Sequence, residues 1–319
     1  MVQTKIEKNN LRFAVVGVGG VGGFLGAHLA EAGLDITFVA RSNFETLRTS
    51  GLVVQTVERK IILPKVKAVS SVSELADVDY ILVTTKAYDI VGFAERLPSS
   101  LMSTAKVVTF QNGIDNDLRI KNKFPNADVF PGIAYIITAK NEGGFITQTA
   151  GPRKFIVGTR DSREAELLSP LVLVMKDAGL DTFLSDTIEK DLWTKYAWIL
   201  AFAGVTALTR RPVGEIVNDP IGIQCFEDLL DETIAVANAM KIPLGDSEKK
   251  AAMDKAIAYK TVGVNSKSSM AVDIDRGNPT ELEALHGTIV KIAARMGIST
   301  PALNTTYTAL HIGYEALRG

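Results

Sequence analysis

The chain has 319 residues, 46% of them apolar, with 35 Lys+Arg against 36 Asp+Glu for a formal charge of −1. That is core enough for two domains or one large one, and no basic block is long enough to track a nucleic-acid backbone or an anionic membrane. The single cysteine, Cys225, excludes an intrachain disulfide and has no second thiol or nearby histidine for a metal site, which suits a reducing cytoplasm.

The first ten residues, MVQTKIEKNN, are polar and lack the apolar core of a signal peptide. The longest apolar run, Tyr196 to Leu208, falls short of the ~20 residues of a membrane span, so the expectation is a soluble, unprocessed protein. Short β-branched runs then alternate with helical patterns: RFAVVGV, the helix GGFLGAHLAEAG, DITFVA, and later YILVTTK, KVVTFQ and ADVFPGIAYI. This is the rhythm of a parallel sheet wound with helices. Gly-punctuated strands in GGFITQTAGPRKFIVGT, a helix in LLSPLVLVMKDAG and a short TFLSD predict an antiparallel edge. From about Thr187 strand signals vanish, and long 3.6-period patterns are interrupted only by RRPVGEIVNDP, KIPLGDSE and DRGNPTE, each with turn or cap chemistry. The prediction is an α/β domain over residues 1–187 and an all-α domain over 188–319.

Within VVGVGGVGGFLGAHLA, the pattern Gly17-x-Gly19-x-x-Gly22 directly follows a strand and directly precedes a helix. The first glycine permits the tight turn, the second lets backbone approach a pyrophosphate and the third lets helix pack on strand, with the helix N-terminus aimed at the anion. Strand, glycines, helix and second strand arrive in the right order, so the first domain reads as a Rossmann-type dinucleotide-binding domain. Gly17, Gly19, Gly20, Val21 and Gly22 are its candidate cofactor-binding residues. The second strand ends in Arg41 and Ser42 where an NAD site would offer an Asp or Glu to the ribose. A guanidinium pairs with a 2′-phosphate that a carboxylate would repel, which favours NADP over NAD. Two further strand ends deliver Lys86 and the turn Gln111, Asn112, Gly113. Lys86 either adds charge near the adenosine phosphate or is a solvated lysine. Asn112 either meets an amide or hydroxyl, or shares with Gly113 the supply of left-handed backbone.

Lys195 is set in the helical run KDLWTKYAWILAFAGVTAL, on a face shared with Ile199, Ala203 and Thr206. An ammonium there is costly unless it is paired or its perturbed proton is used. Taken in order and spacing over nearly the whole chain, GVGGVGG, Arg41, TTKAYD, QNGI, LWTKYAW, SSMAVDIDRGNPTELE and GISTPALNTTYTAL resemble the ketopantoate reductases (2-dehydropantoate 2-reductases), relatives of the 6-phosphogluconate dehydrogenase-like enzymes. The resemblance implies that Lys195 is the general acid, Glu281 its acidic partner at the substrate, Ser269 a substrate-carboxylate contact, Asn112 a neighbour of nicotinamide and substrate, and Arg41 with Lys86 the clamp on the 2′-phosphate. It implies an NADP-dependent oxidoreductase that reduces ketopantoate to pantoate in pantothenate and coenzyme A formation.

The chemistry agrees with that assignment. Hydride reduction of a ketone develops negative charge on oxygen, so the site needs a positioned cation that can give up a proton, and a desolvated lysine supplies one with a pKa drawn toward neutral. Glu281 follows NPT, which reads as a helix start, and borders the apolar stripe Leu282, Leu285, Ile289, Ile292. A structural salt bridge between two helices is the alternative for this pair. His28, His286 and His311 read as packing or surface residues. One departure stands out: the family usually carries asparagines one and two turns after the lysine, where this chain has Ile199 and Ala203. Their loss removes hydrogen bonds to a hydroxyl-bearing substrate and admits a more apolar 2-oxo acid instead. A non-catalytic NADPH-binding sensor is a further alternative, although sensing needs neither Lys195 nor Glu281. The expected partner is a small 2-oxo acid, with no nucleic acid, membrane or metal; a homodimer through the helical half is compatible with the pattern, without a sustained heptad seam.

Overall fold

The structure, a computed structural model, describes residues 11–315, so the polar N-terminal stretch lies outside the described residues. Two compact units divide the chain: one built from residues up to Gln111 together with Asp115–Ile188, the other from Asn112–Ile114 together with Glu189 onward.

The first unit is α/β. Its elements are β1 (Arg12–Val16), α1 (Gly20–Glu31), β2 (Asp35–Val39), α2 (Phe44–Ser50), β3 (Leu52–Gln55), β4 (Lys60–Leu63), β5 (Lys67–Val69), β6 (Tyr80–Val83), α3 (Ile90–Arg96), α4 (Ser99–Met102), β7 (Lys106–Thr109), α5 (Asn116–Lys123), β8 (Val129–Lys140), β9 (Ile146–Gly158), α6 (Ser169–Asp177) and β10 (Asp181–Ser185). The strands run in the order β4-β3-β9-β8-β7-β6-β1-β2-β5, with β10 also paired to β9. From β8 to β5 every pairing is parallel. Alternate residues of β1 feed separate cores: Phe13 and Val15 pack with Phe24, Phe38 and Phe130, whereas Ala14 and Val16 pack with Ile81, Ile90 and Phe93. A strand buried on both faces explains the unbroken apolar run of the sequence there.

The expected antiparallel pairing occurs between β8 and β9, but the sheet does not stop at it. β3 lies parallel to β9, β4 pairs antiparallel to β3 at the edge, and the TFLSD strand, β10, runs parallel to β9. β3, β4 and β5 are additions to the predicted strands. This extended half of the sheet packs on α1, whose residues Gly22 to Leu29 are all buried. An added Cβ at Gly23 would fall 1.8 Å from Ile146 of β9, and one at Gly26 would fall 2.4 Å from Phe38 of β2. A helix apolar all round is a helix enclosed all round.

The second unit is helical: α7 (Ile188–Thr209), which begins at the last residue of the first unit, then α8 (Val213–Asn218), α9 (Pro220–Ala239), α10 (Asp246–Ala258), α11 (Ser269–Asp275), α12 (Thr288–Met296) and α13 (Pro301–Leu310). Asp219 caps α9, its carboxylate accepting from the N–H groups of Ile221 at 2.9 Å and Gly222 at 3.0 Å. Ahead of α12 a π-helical turn spans Glu283–Gly287, with the Gly287 N–H donating to the Leu282 carbonyl at 3.0 Å. The extra residue in that turn rotates the helix beyond it, so Leu282, Leu285 and Ile289 are buried while Ile292 is only half-buried. No helix among the described residues is long and apolar enough to cross a membrane.

Candidate active site

The glycine loop leaves β1 in a conformation that only its sequence permits. Gly17 has φ +92°, its N–H donates to the Val39 carbonyl at 3.0 Å, and a Cβ there would lie 2.7 Å from the Thr85 nitrogen. Gly22 carries the close packing, since a Cβ would stand 2.2 Å from the Gly17 carbonyl oxygen. Gly19 differs: its backbone is extended and a Cβ would meet nothing within 4 Å. No side chain caps α1 and no acid occupies its first turn, where Gly20 and Val21 lie. The N-terminus of this 12-residue helix therefore keeps its positive end uncompensated by a side chain, beside open space at Gly19. A dinucleotide pyrophosphate fits those features.

Arg41 follows β2 with its side chain 65% exposed, and its Nη2 donates to Asp89 at 2.9 Å. Lys86 precedes the short turn Ala87–Asp89 at the end of β6. Gln111, buried after β7, donates from Nε2 to the Thr85 hydroxyl at 3.0 Å and to the Lys86 carbonyl at 3.3 Å, which ties the two strand ends together. Its Oε1 is buried with no hydrogen-bond partner among the described residues.

In the helical unit the Lys195 ammonium donates to the Asn112 side-chain carbonyl at 3.2 Å, so the turn after β7 belongs with α7. Desolvation lowers the Lys195 pKa to about 8; the nearby Glu281 carboxylate opposes the shift and Lys255 adds to it. Glu281 is 5% exposed, just before the π-helical turn. That turn is tied to α7 twice: the Tyr196 hydroxyl donates to the Leu285 carbonyl at 2.5 Å, and His286 Nε2 to the Leu200 carbonyl at 3.1 Å. Tyr196 and His286 thus hold the Glu281 segment against the helix that carries the lysine. Neither was among the predicted site residues, and no local pattern marks them; only the π-helical turn explains their reach. His286 itself is fully buried, and burial pushes its pKa down to about 4, so it stays neutral.

The two serines of SSM divide their roles. Ser268 is buried as the cap of α11, accepting from the Ala271 N–H at 3.1 Å and from the Thr206 hydroxyl at 2.8 Å, whereas Ser269 is exposed at the first helical position. Ile199 packs on a cluster formed by Ala203, Met270 and Leu282. On the neighbouring face of α7 the rings of Trp198, Phe202 and Tyr259 form a mutually contacting cluster with near-parallel planes, and the Lys255 ammonium lies 4.1 Å from the Trp198 centroid. No group of three or more His, Cys, Asp or Glu side chains among the described residues is placed to hold a metal.

Comparison with known proteins bears on this geometry. Residues 13–162 match the family described as Ketopantoate reductase PanE/ApbA, and residues 187–314 match its C-terminal counterpart. The 2-dehydropantoate 2-reductase of Archaeoglobus fulgidus is 30% identical over 96% of this chain and 98% of its own length. The "Uncharacterized oxidoreductase YkpB" of Bacillus subtilis is 29% identical over 96% of this chain and 99% of its own. Among solved structures, 2-dehydropantoate 2-reductase from Geobacter metallireducens superposes with a TM-score of 0.85 at 27% identity, covering 95% of this chain and 100% of its own. A D-mandelate dehydrogenase solved with NADH and anilino(oxo)acetate shares the fold, with a TM-score of 0.88 at 20% identity over 97% of this chain and 100% of its own. The glycine loop, the lysine helix and these matches across both halves agree: the chain is an oxidoreductase that belongs to the ketopantoate reductase family.

Proposed function

We propose that the protein reduces ketopantoate to pantoate with NADPH, residues 1–187 holding the cofactor and residues 188–319 carrying the acid and the substrate contacts. The observation that carries this reading is the half-buried Lys195 ammonium, 3.2 Å from Asn112 and within the field of Glu281. NADPH supplies the hydride. Gly17, Gly19, Gly20, Val21 and Gly22 seat the pyrophosphate at the start of α1, Arg41 and Lys86 meet the 2′-phosphate, and Gln111 with Asn112 serves the nicotinamide end. Ser269 receives the substrate carboxylate. Lys195 stabilises negative charge growing on the ketone oxygen and delivers its proton there, while Glu281 orients the lysine and accepts from the substrate hydroxyl.

A second reading keeps the residues and changes the substrate. Ile199 and Ala203 present carbon where amides would read a hydroxyl, and Ile199 packs against the apolar cluster that contains Ala203, Met270 and Leu282. That strip favours a 2-oxo acid with an apolar side chain. Initial rates of NADPH oxidation with ketopantoate and with 2-oxoisovalerate, which lacks the hydroxymethyl group, separate the two: a strong preference for ketopantoate supports the first, and equal or reversed preference supports the second. Lys195→Ala should abolish turnover on either substrate and leave NADPH binding nearly intact. Wild-type turnover in that variant removes the lysine from the reaction.

A further inference from the structure

The end of β2 carries more charge than Arg41. The β8–β9 hairpin crosses the glycine loop: a Cβ at Gly20 would meet the Thr138 hydroxyl at 2.6 Å, and one at Gly144, near the hairpin tip, would lie 3.2 Å from Thr46 of α2. Between those two anchors stands Lys140, the last residue of β8, whose ammonium donates to the Ser42 hydroxyl at 3.3 Å. The hairpin turn beyond it is closed by the Asn141 N–H on the Phe145 carbonyl at 2.8 Å and by the Asn141 amide on the Thr147 hydroxyl at 2.8 Å. Asn43, buried next to Ser42, donates to the Val18 carbonyl at 3.1 Å and so fixes this corner to the glycine loop itself. Loop, strand end and hairpin tip form one braced patch at the place where an open parallel sheet receives the adenosine ribose. Within it the Arg41 guanidinium already has an anion, Asp89.

We infer that Lys140 and Asp89 set the cofactor preference in opposite directions, Lys140 as an additional cation of the 2′-phosphate site and Asp89 as the resident anion that a 2′-phosphate displaces from Arg41. This rests on the NADPH reading of the loop given above. A ribose 2′-phosphate carries up to two negative charges; it gains from Arg41 and Lys140 together and is repelled by the Asp89 carboxylate. A bare 2′-hydroxyl reverses the balance, since it has little to gain from the ammonium and can donate to a carboxylate. All three side chains sit on strand ends and turns, so each can be changed without disturbing the core.

The test is calorimetric titration of the full chain with 2′,5′-ADP and with 5′-AMP, which differ only in the group in question and need no turnover. Lys140→Met should weaken 2′,5′-ADP about tenfold and leave 5′-AMP unchanged. Asp89→Asn should tighten 2′,5′-ADP several-fold and weaken 5′-AMP. A Lys140 variant that loses both ligands equally makes the residue a brace for the hairpin and overturns the assignment, as does one that loses neither. Wild-type protein that binds neither nucleotide refutes the reading of the loop as a dinucleotide site and this inference with it, whereas wild-type binding of both with no response to either substitution refutes the inference alone.

Discussion

Raising the pH through 8 should switch Lys195 off as an acid. Its pKa of about 8 stands below the ordinary 10.5, first through desolvation and then through Lys255, with Glu281 pulling the other way. At about 1.4 kcal/mol for each tenfold change, that gap is a ceiling of about 3 kcal/mol in the cost of keeping the ammonium charged in the folded chain. A general acid must be protonated, so kcat/KM for NADPH oxidation should be level below the pKa and fall tenfold for each pH unit above it. The neighbours fix the order of the variants. Glu281→Gln removes the carboxylate that favours the ammonium and should move the break to lower pH; Lys255→Met removes a like charge and should move it higher. Stability responds in the opposite sense to activity. Between about pH 8 and the unfolded lysine pKa of about 10.4 the unfolded chain binds more protons than the folded one at Lys195 and also at Lys255, which desolvation lowers to about 8 as well, so the stability of the helical unit rises with pH across that window, and Lys195→Met should show a smaller rise that the further change Lys255→Met removes. A profile flat through pH 10, or a break that moves upward in the Glu281 variant or downward in the Lys255 variant, refutes the electrostatic account of the site.

The glycine loop offers a contrast between two neighbouring substitutions. Gly17→Ala, at φ +92° and with its Cβ 2.7 Å from the Thr85 nitrogen, should cost about 1–3 kcal/mol and lower the melting temperature by several degrees. Gly19→Ala meets no atom within 4 Å, so it should melt like the wild type yet bind NADPH at least about tenfold more weakly; unchanged binding in calorimetry means that the pyrophosphate does not lie against Gly19. His286 concerns the acid limb of stability. Its folded pKa of about 4 lies below the ordinary 6.5, so the stability it contributes is complete above about pH 6.5 and is lost as pH falls toward 4, by up to about 3 kcal/mol. His286→Gln should flatten the dependence of the urea midpoint between pH 7 and pH 5, and an unaltered slope assigns the acid sensitivity elsewhere.

Legibility from residues alone tracks the range of the interactions. The glycine loop was legible because strand, turn and helix N-terminus are contiguous and Gly17 and Gly22 each answer a local steric demand. Lys195 was legible because a lone cation interrupts an apolar helix face, and the structure sets it beside Asn112 and within the field of Glu281. β3 and β4 escaped because their placement is set at long range: β3 takes Ile146 and Thr147, far along the chain, as its second partners, and β4 pairs only with β3 at the edge. The Arg41–Asp89 pair spans 48 positions, and nothing near Arg41 announces it. The π-helical turn at Glu283–Gly287 was hidden in a stripe that looks regular, since one inserted residue leaves apolar spacing almost unchanged while moving the hydrogen bonds.

The enclosure of α1 has a consequence for the order in which the molecule can come together. Side chains that line this helix, Thr138 and Ile146, are translated more than a hundred residues after it. A nascent chain that has emerged only as far as β7 has the glycine loop but not the wall that covers the helix, and leaves Phe24, Leu25 and Leu29 without part of their packing. The earliest recognisable element of the sequence is therefore one of the last to be sealed, and until β9 docks the N-terminal half exposes apolar surface that the finished fold buries.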